Sequence, residues 1–352
     1  MEYLSHCSPC VSEAWVFNPE HDIILALDAG AGFTPPKAAR RLRQDLSHLP
    51  SLWGASEEPS VWGWDAAVVA ELLKMGVPRD RMPSDEQLRE IRRLSNRSLA
   101  VEMLSRLRTL PGTIGTSAVC HTRDEVEQFA REHGSTIIKA PWSSSGRGVK
   151  PFTVHSAQFI DSTIAKQGSI IAEAECQKVM DFALEYEATP EGRVEYRGLS
   201  LFTTVNGAYK GNLLLPEEEK LAILAEHVDI ELLRQVSLLI KQFLIPRLKG
   251  IYYGPLGVDM MVCQSLEPFD PLEPLEPART SERLFRACSP EHLLERKNQR
   301  GARLELLNPC IEINLRRTMG HVALALTAQG NRGTMSVLYN KERDKYELTV
   351  HS

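Results

Sequence analysis

The chain has 352 residues, 43% of them hydrophobic and 25% charged, with a formal net charge of −5. That length exceeds the usual single hydrophobic core and calls for two or three packed units. The acidic balance gives no electrostatic basis for non-specific binding of nucleic acid, and no apolar run approaches membrane-spanning length, so neither partner is expected.

The stretch from Met1 to Pro9 has no basic residue ahead of an apolar core, as a secretory signal would require, which points to a cytoplasmic protein. Seven scattered cysteines fit reduced thiols better than a disulfide framework. Cys7 and Cys10, with His6 beside them, form the one close pair; Cys120 with His121 is the sole weak candidate for the second pair that a zinc site wants.

Residues 14–18 read as a short strand running into Asn18-Pro19-Glu20-His21-Asp22, a polar cluster that serves either as a ligand-facing loop or, as its composition favours, as a turn. An apolar segment follows at 23–27. Residues 35–46 have helical spacing with a basic, solvated face of Lys37, Arg40, Arg41 and Arg43. Trp62-Gly63-Trp64-Asp65 opens a helix that Gly76 ends, so the first 85 residues suggest an α/β unit. Over 85–107 a helical stripe of Leu88, Ile91, Leu94, Leu99, Met103 and Leu107 is interrupted by Ser95-Asn96-Arg97-Ser98. Thr122 to Glu125 has capping-box form, and Gly134 should stop the helix it starts.

The stretch Ile137-Ile138-Lys139-Ala140-Pro141-Trp142-Ser143-Ser144-Ser145-Gly146-Arg147-Gly148-Val149 comes next. An apolar run delivers a lysine, a proline ends it, and a Ser/Gly loop follows, with 152–154 as the expected partner strand. Gly146 and Gly148 permit close backbone approach and positive φ, so that N–H groups can face anionic oxygens. Lys139 adds a compact charge and Ser143, Ser144 and Ser145 add donors, a set suited to polyphosphate. The same stretch also reads as a strand ending in a polar turn. It is neither a Walker A loop, which ends in Gly-Lys-Ser/Thr, nor a Rossmann turn.

Strands are expected at 169–173, 181–186 and 199–205, then one or two helices over 217–247 with a break near 227–229. Two apolar strands, 257–262 and 304–315, carry Asp259, and Glu312 with Asn314 on one face. Arg316 would fall on the other side if the strand continued. A buried acid needs compensation. These hard oxygen ligands suit Mg²⁺, which binds one or two carboxylates plus substrate phosphates; structural ion pairs are the other reading, and the nearby phosphate loop favours metal. Residues 266–300, with Glu-Pro repeats, read as an exposed insertion, and a helix at 320–328 and a hairpin of 335–339 with 345–350 close the chain.

The order of these elements resembles the ATP-grasp superfamily over roughly residues 90 to 330. The matching features are the strand lysine Lys139, the Ser143 to Gly148 lid, and Glu173 ending a strand with Asp181 eight positions later. Asp259 in a Gly-Val-Asp strand and Glu312-Ile313-Asn314-Leu315-Arg316, the most specific item, complete the match. Phe17-Asn18-Pro19-Glu20 and the run from Arg316 to His321 look like a bacterial branch apart from the familiar members, so no substrate is inherited.

The resemblance implies an α+β ATP-grasp fold, two lobes gripping ATP, preceded by an N-terminal α/β domain. Its divisions would be 1–90, a small lobe at 91–172, and a large lobe at 173–352 with the insertion at 264–300. Adenine would lie against the Ala172 to Cys176 hinge, at Glu173 and Ala174, with Asp181 on the ribose. Lys139 would contact the α- and β-phosphates, and Ser143, Ser144, Ser145, Gly146 and Gly148 would cover the β- and γ-phosphates. Asp259, Glu312 and Asn314 would hold one or two Mg²⁺, with Mn²⁺ as an alternative. Arg316 and Lys139 would be catalytic, Arg316 at the γ-phosphate and acyl phosphate. Arg97 is the nearest equivalent of a second phosphate lysine. Lys210 is either a substrate-carboxylate contact or a solvated turn lysine. The implied activity is ligation of a small-molecule carboxylate to an amine; the alternatives are a small-molecule kinase and a non-catalytic nucleotide-binding regulator.

Overall fold

A computed structural model describes residues 15–30, 32–53, 59–143, 148–205, 208–264 and 305–351. Cys7, Cys10, the centre of the Ser/Gly loop (Ser144, Ser145, Gly146) and the Glu-Pro insertion lie outside the described residues.

The N-terminal part pairs β1 (Trp15–Val16) in parallel with β2 (Ser60–Val61) and carries α1 (His21–Leu27), α2 (Lys37–Asp45) and α3 (Ala66–Lys74). The apolar segment at 23–27 is helix, continuing directly from the end of the polar cluster at His21 and Asp22. Asp65 caps α3, its Oδ1 accepting from the amides of Ala67 and Val68 at 2.9 Å each.

The stripe over 85–107 divides into α4 (Asp85–Leu94) and α5 (Ser98–Leu107). Ser84 and Gln87 form a reciprocal capping box at the start of α4. The polar step ends that helix, with Ser95 Oγ donating back to Ile91 O at 2.7 Å. Arg97 lies at the turn between the helices, its amide donating to Pro141 O at 3.0 Å.

A four-stranded sheet follows in the order β3-β6-β4-β5, with β3 (Ser117–Cys120), β4 (Thr136–Lys139), β5 (Val149–Pro151) and β6 (Ile170–Ala174). Helices α6 (Arg123–His133) and α7 (Ala157–Gln167) cover it, burying Val126, Phe129, Ile138, Ile160 and Ile170. The partner of the lysine strand starts at Val149 and not at residue 152, and the pairing extends past Lys139, with Ala140 N donating to Gly148 O at 2.8 Å. Gly148 does not adopt positive φ. It is required for close approach, since a Cβ there would lie 2.4 Å from Ser143 Cβ.

The larger sheet has seven strands in the order β11-β10-β7-β8-β9-β12-β13. These are β7 (Gln177–Ala188), β8 (Val194–Val205), β9 (Ala208–Leu214), β10 (Gly254–Gln264), β11 (Glu305–Asn314), β12 (Gly333–Asn340) and β13 (Lys345–His351). Helices α8 (Glu217–Ala225) and α9 (Ile230–Leu248) pack with α4 and α5 in one core that takes in Phe182, Leu184, Tyr186, Val258 and Ile313. The α4–α5 pair thus shares the core of the larger sheet. A further core joins the two ends of the chain: Phe17, Leu46, Leu49 and Trp62 pack with Leu214, Met335 and residues of α10 (Met319–Ala328). Tyr346 N donates to Asp45 Oδ2 at 2.8 Å across the same junction. No helix among the described residues is long and apolar enough to cross a membrane.

Candidate active site

Lys139 ends β4, buried, and its Nζ donates to Glu173 Oε2 at 2.7 Å on the neighbouring β6. The pair neutralises itself in a site shielded from water. Across from it, Asp259 and Glu312 are register partners on β10 and β11. Asn314 Nδ2 donates to Asp259 Oδ2 at 3.2 Å. Burial, and then the charge of Glu312, push the Asp259 carboxyl up to about 7.

Arg97 spans the two sheets. Its Nη1 donates to Ala140 O at 2.6 Å and Ser143 Oγ at 2.7 Å, and its Nη2 donates to Glu312 Oε1 at 2.6 Å. The buried Cys310 thiol on β11 senses both groups. Burial pushes it up, Asp259 and Glu173 push further, Lys139 pulls it down, and Glu312 raises it again. Lys139 and the two strand acids therefore act on one region.

Arg316 does not fall on the other side as expected: it lies two positions beyond Asn314 and four beyond Glu312, an even spacing that keeps it on their side of the strand β11. It lines the same cavity as Glu312 and Asn314. Its Nε donates to both oxygens of Asp22, at 2.9 and 3.1 Å, across 294 positions of sequence. Burial opposes both charges, but the pair outweighs it: Arg316 is held above and Asp22 below its ordinary range.

Asp181, on β7, accepts from Lys178 Nζ at 2.7 Å and Thr204 Oγ1 at 2.6 Å. Ala174 ends β6, next to Glu173 and seven positions before Asp181. Lys210 is not brought to this group. It is exposed on β9, at the bulge where the register with β8 shifts, and makes no hydrogen bond to the cluster among the described residues.

Two features of the site lie outside the expected set. Asp22 is one, and nothing near it in sequence announces its partner. Glu185 is the other: it is fully buried on β7, and its Oε1 accepts from Thr318 Oγ1 at 2.8 Å. Gly320 and Gly257 make room for its carboxyl, since a Cβ on them would lie 1.9 Å from Oε1 and 2.6 Å from Oε2. Burial, and then Asp259, push Glu185 up to about 8. His321 Nδ1, 3.1 Å from Glu185 Oε2, accepts from the Thr318 amide at 3.2 Å, and Nε2 faces Tyr186 O at 3.2 Å. Burial holds His321 neutral, down to about 3. At neutral pH this is a neutral acid beside a neutral imidazole.

That assignment gives a pH signature. An unfolded glutamate loses its proton near pH 4.5, whereas Glu185 in the fold keeps it to about 8. Between those values only the folded state holds the proton, so stability falls as pH rises through the window. Denaturant unfolding at pH 6.5 and 8.5 should show a loss on the order of a few kcal/mol that Glu185→Gln largely removes. An equal loss in the variant would contradict the assignment.

The donor set fits Mg²⁺. Two carboxylates and one amide oxygen on adjacent strands are hard ligands, but too few for an all-protein cage. Among the described residues no group of three His, Cys, Asp or Glu side chains gathers, so phosphate or water oxygens would have to complete the shell.

No family model matches the chain, and no curated protein matches it. Among solved structures it is similar to N5-carboxyaminoimidazole synthetase from Staphylococcus aureus complexed with ADP. The identity is 11% and the TM-score 0.43, over 75% of this chain and 61% of that one. It is also similar to a biotin carboxylase–ATP complex from Campylobacter jejuni, at 16% identity and TM-score 0.43, over 75% and 50% of the two chains. D-alanyl-alanine synthetase A from Vibrio cholerae gives 15% identity and TM-score 0.38, over 58% and 62%. The chain thus spans less than two thirds of each of these proteins. The described residues themselves form an α+β fold, two sheets of four and seven strands flanked by helices, with a two-stranded pair near residue 15.

Proposed function

We propose that the protein is an ATP- and Mg²⁺-dependent ligase that activates a small-molecule carboxylate as an acyl phosphate and joins it to an amine. The observation that carries this reading is the pairing of Asp259 with Glu312 across two strands, with Asn314 on Asp259, opposite the buried Lys139. A site retaining all these groups is equipped for turnover, which argues against a purely regulatory nucleotide binder. Four free thiols among the described residues, Cys120, Cys176, Cys263 and Cys310, fit a reducing cytoplasm.

Lys139 binds the nucleotide's phosphates, exchanging Glu173 for phosphate oxygens. Asp259, Glu312 and Asn314 would hold Mg²⁺, which when bound offsets charge on the phosphate oxygens. Glu173 and Ala174 border the adenine, and Asp181 takes the ribose hydroxyls. Arg316 steadies the transferring phosphoryl group. The Ser143 to Gly148 loop excludes water, because an acyl phosphate hydrolyses readily. No side-chain nucleophile is needed.

The test is incubation with ATP, Mg²⁺ and pools of carboxylates, with and without amines. Release of ADP and free phosphate only when an amine is present is the expected result. ADP formed without an amine, with phosphate retained on the acceptor, would make the protein a kinase instead.

A further inference from the structure

We propose that Asp22 is a positioning residue, which holds the Arg316 guanidinium by its Nε edge and so aims its free edge at an anionic acyl or phosphoryl oxygen in the cavity beside it. The inference rests on the ligase reading above and extends the site to the N-terminal part of the chain.

The cavity is bordered by His21, Asp22, Arg97, Ser143, Glu312 and Arg316. Of its two arginines, Arg97 is spent on the protein: both terminal nitrogens are engaged by Ala140, Ser143 and Glu312. Arg316 differs. Its Nε serves Asp22 and its Nη1 donates to Arg317 O at 3.1 Å, while Nη2 makes no hydrogen bond among the described residues. A guanidinium presents its donors in a rigid fork, so fixing one edge fixes the direction of the rest.

Asp22 is itself held in place. Asn18 Nδ2 donates to Gly63 O at 2.8 Å and to Asp65 Oδ2 at 2.9 Å, and His21 Nδ1 lies 3.0 Å from the same Asp65 oxygen. Gly63 makes room for the imidazole, since a Cβ there would sit 2.6 Å from His21 Cδ2. On the other side of His21, Glu20 accepts from Arg43 Nη1 at 2.6 Å. The segment Asn18-Pro19-Glu20-His21-Asp22 and the segment Trp62-Gly63-Trp64-Asp65 thus interlock into a mount for one carboxylate. Held in this way, Asp22 acts as a bracket for the arginine.

Inorganic phosphate is the probe, titrated by calorimetry into the full-length protein with and without saturating MgADP. Asp22→Asn and Arg316→Lys should each weaken phosphate binding about tenfold, in line with the loss of an oriented charged hydrogen bond. The double variant should be no weaker than Arg316→Lys alone, because both changes remove one interaction. MgADP affinity should stay near wild type in Asp22→Asn although its melting temperature falls, because Arg316 loses its buried counter-charge, and Asp22→Glu should recover part of both losses. Where turnover is measurable, the loss should appear as a higher KM for the carboxylate together with a lower kcat. Unchanged phosphate binding in Asp22→Asn, effects that multiply in the double variant, or no phosphate binding to wild type would each overturn the proposal. Failure of the ligase reading looks different: wild type then binds no MgADP, while the phosphate titration without nucleotide still reports on Asp22.

Discussion

Glu312→Gln should lower turnover by about a thousandfold, or roughly 4 kcal/mol in activation free energy, while the protein still folds. The size follows from removing one of two carboxylates that face each other across β10 and β11. The fold survives because glutamine keeps an acceptor for Arg97 Nη2, which lies 2.6 Å from Glu312 Oε1. There is an internal control. The charge of Glu312 is one of the forces holding Asp259 up at about 7, so the variant should bring Asp259 down toward the ordinary aspartate range. Steady-state rates alongside thermal melts check the claim. Near-normal activity would refute the metal assignment.

Lys139→Ala should carry a double loss. Removing the lysine takes away a charge-assisted contact to phosphate, which should weaken ATP binding by about a hundredfold. It also leaves Glu173 buried without the partner now 2.7 Å away, an orphaned charge that costs about 3 kcal/mol or more of stability. The two effects separate in Lys139→Ala with Glu173→Gln. That pair should regain most of the stability, since no buried charge is left alone, yet bind ATP no better than the single variant does. Calorimetry gives the affinity and denaturant melts give the stability. Affinity restored along with stability would mean that Lys139 only supports the strand.

Much of the fold could be read from local pattern. The polar step at Ser95-Asn96-Arg97 divides α4 from α5 because the serine bonds back to the helix and competes with its continuation. The strand acids Asp259 and Glu312 were legible because charge inside an apolar alternation demands compensation. Glu185 carries that same signal in Phe182-Ala183-Leu184-Glu185-Tyr186, but sequence alone does not disclose that Thr318 and two glycines accommodate it. Asp22 gave no such sign. It sits among turn-forming residues, and its meaning comes from an arginine that only folding brings near. Pairing register was the other gap: β5 starts at Val149, ahead of the run at 152–154, because the partner is chosen by backbone pairing with Ile137 to Lys139 and not by local apolar pattern.

The junction where the two ends of the chain pack together bears on synthesis. Phe17, Leu46 and Leu49 find their cover on Met335 and the closing helix, and Asp45 meets the Tyr346 amide in β13. A ribosome delivers these partners hundreds of residues apart, so the first apolar layer stays uncovered until the last strand emerges. Arg316 likewise waits on no later segment, but Asp22 must wait for it. Assembly of the candidate site thus follows synthesis of Arg316, and the apolar layer of Phe17, Leu46 and Leu49 needs chaperone protection until its cover is made.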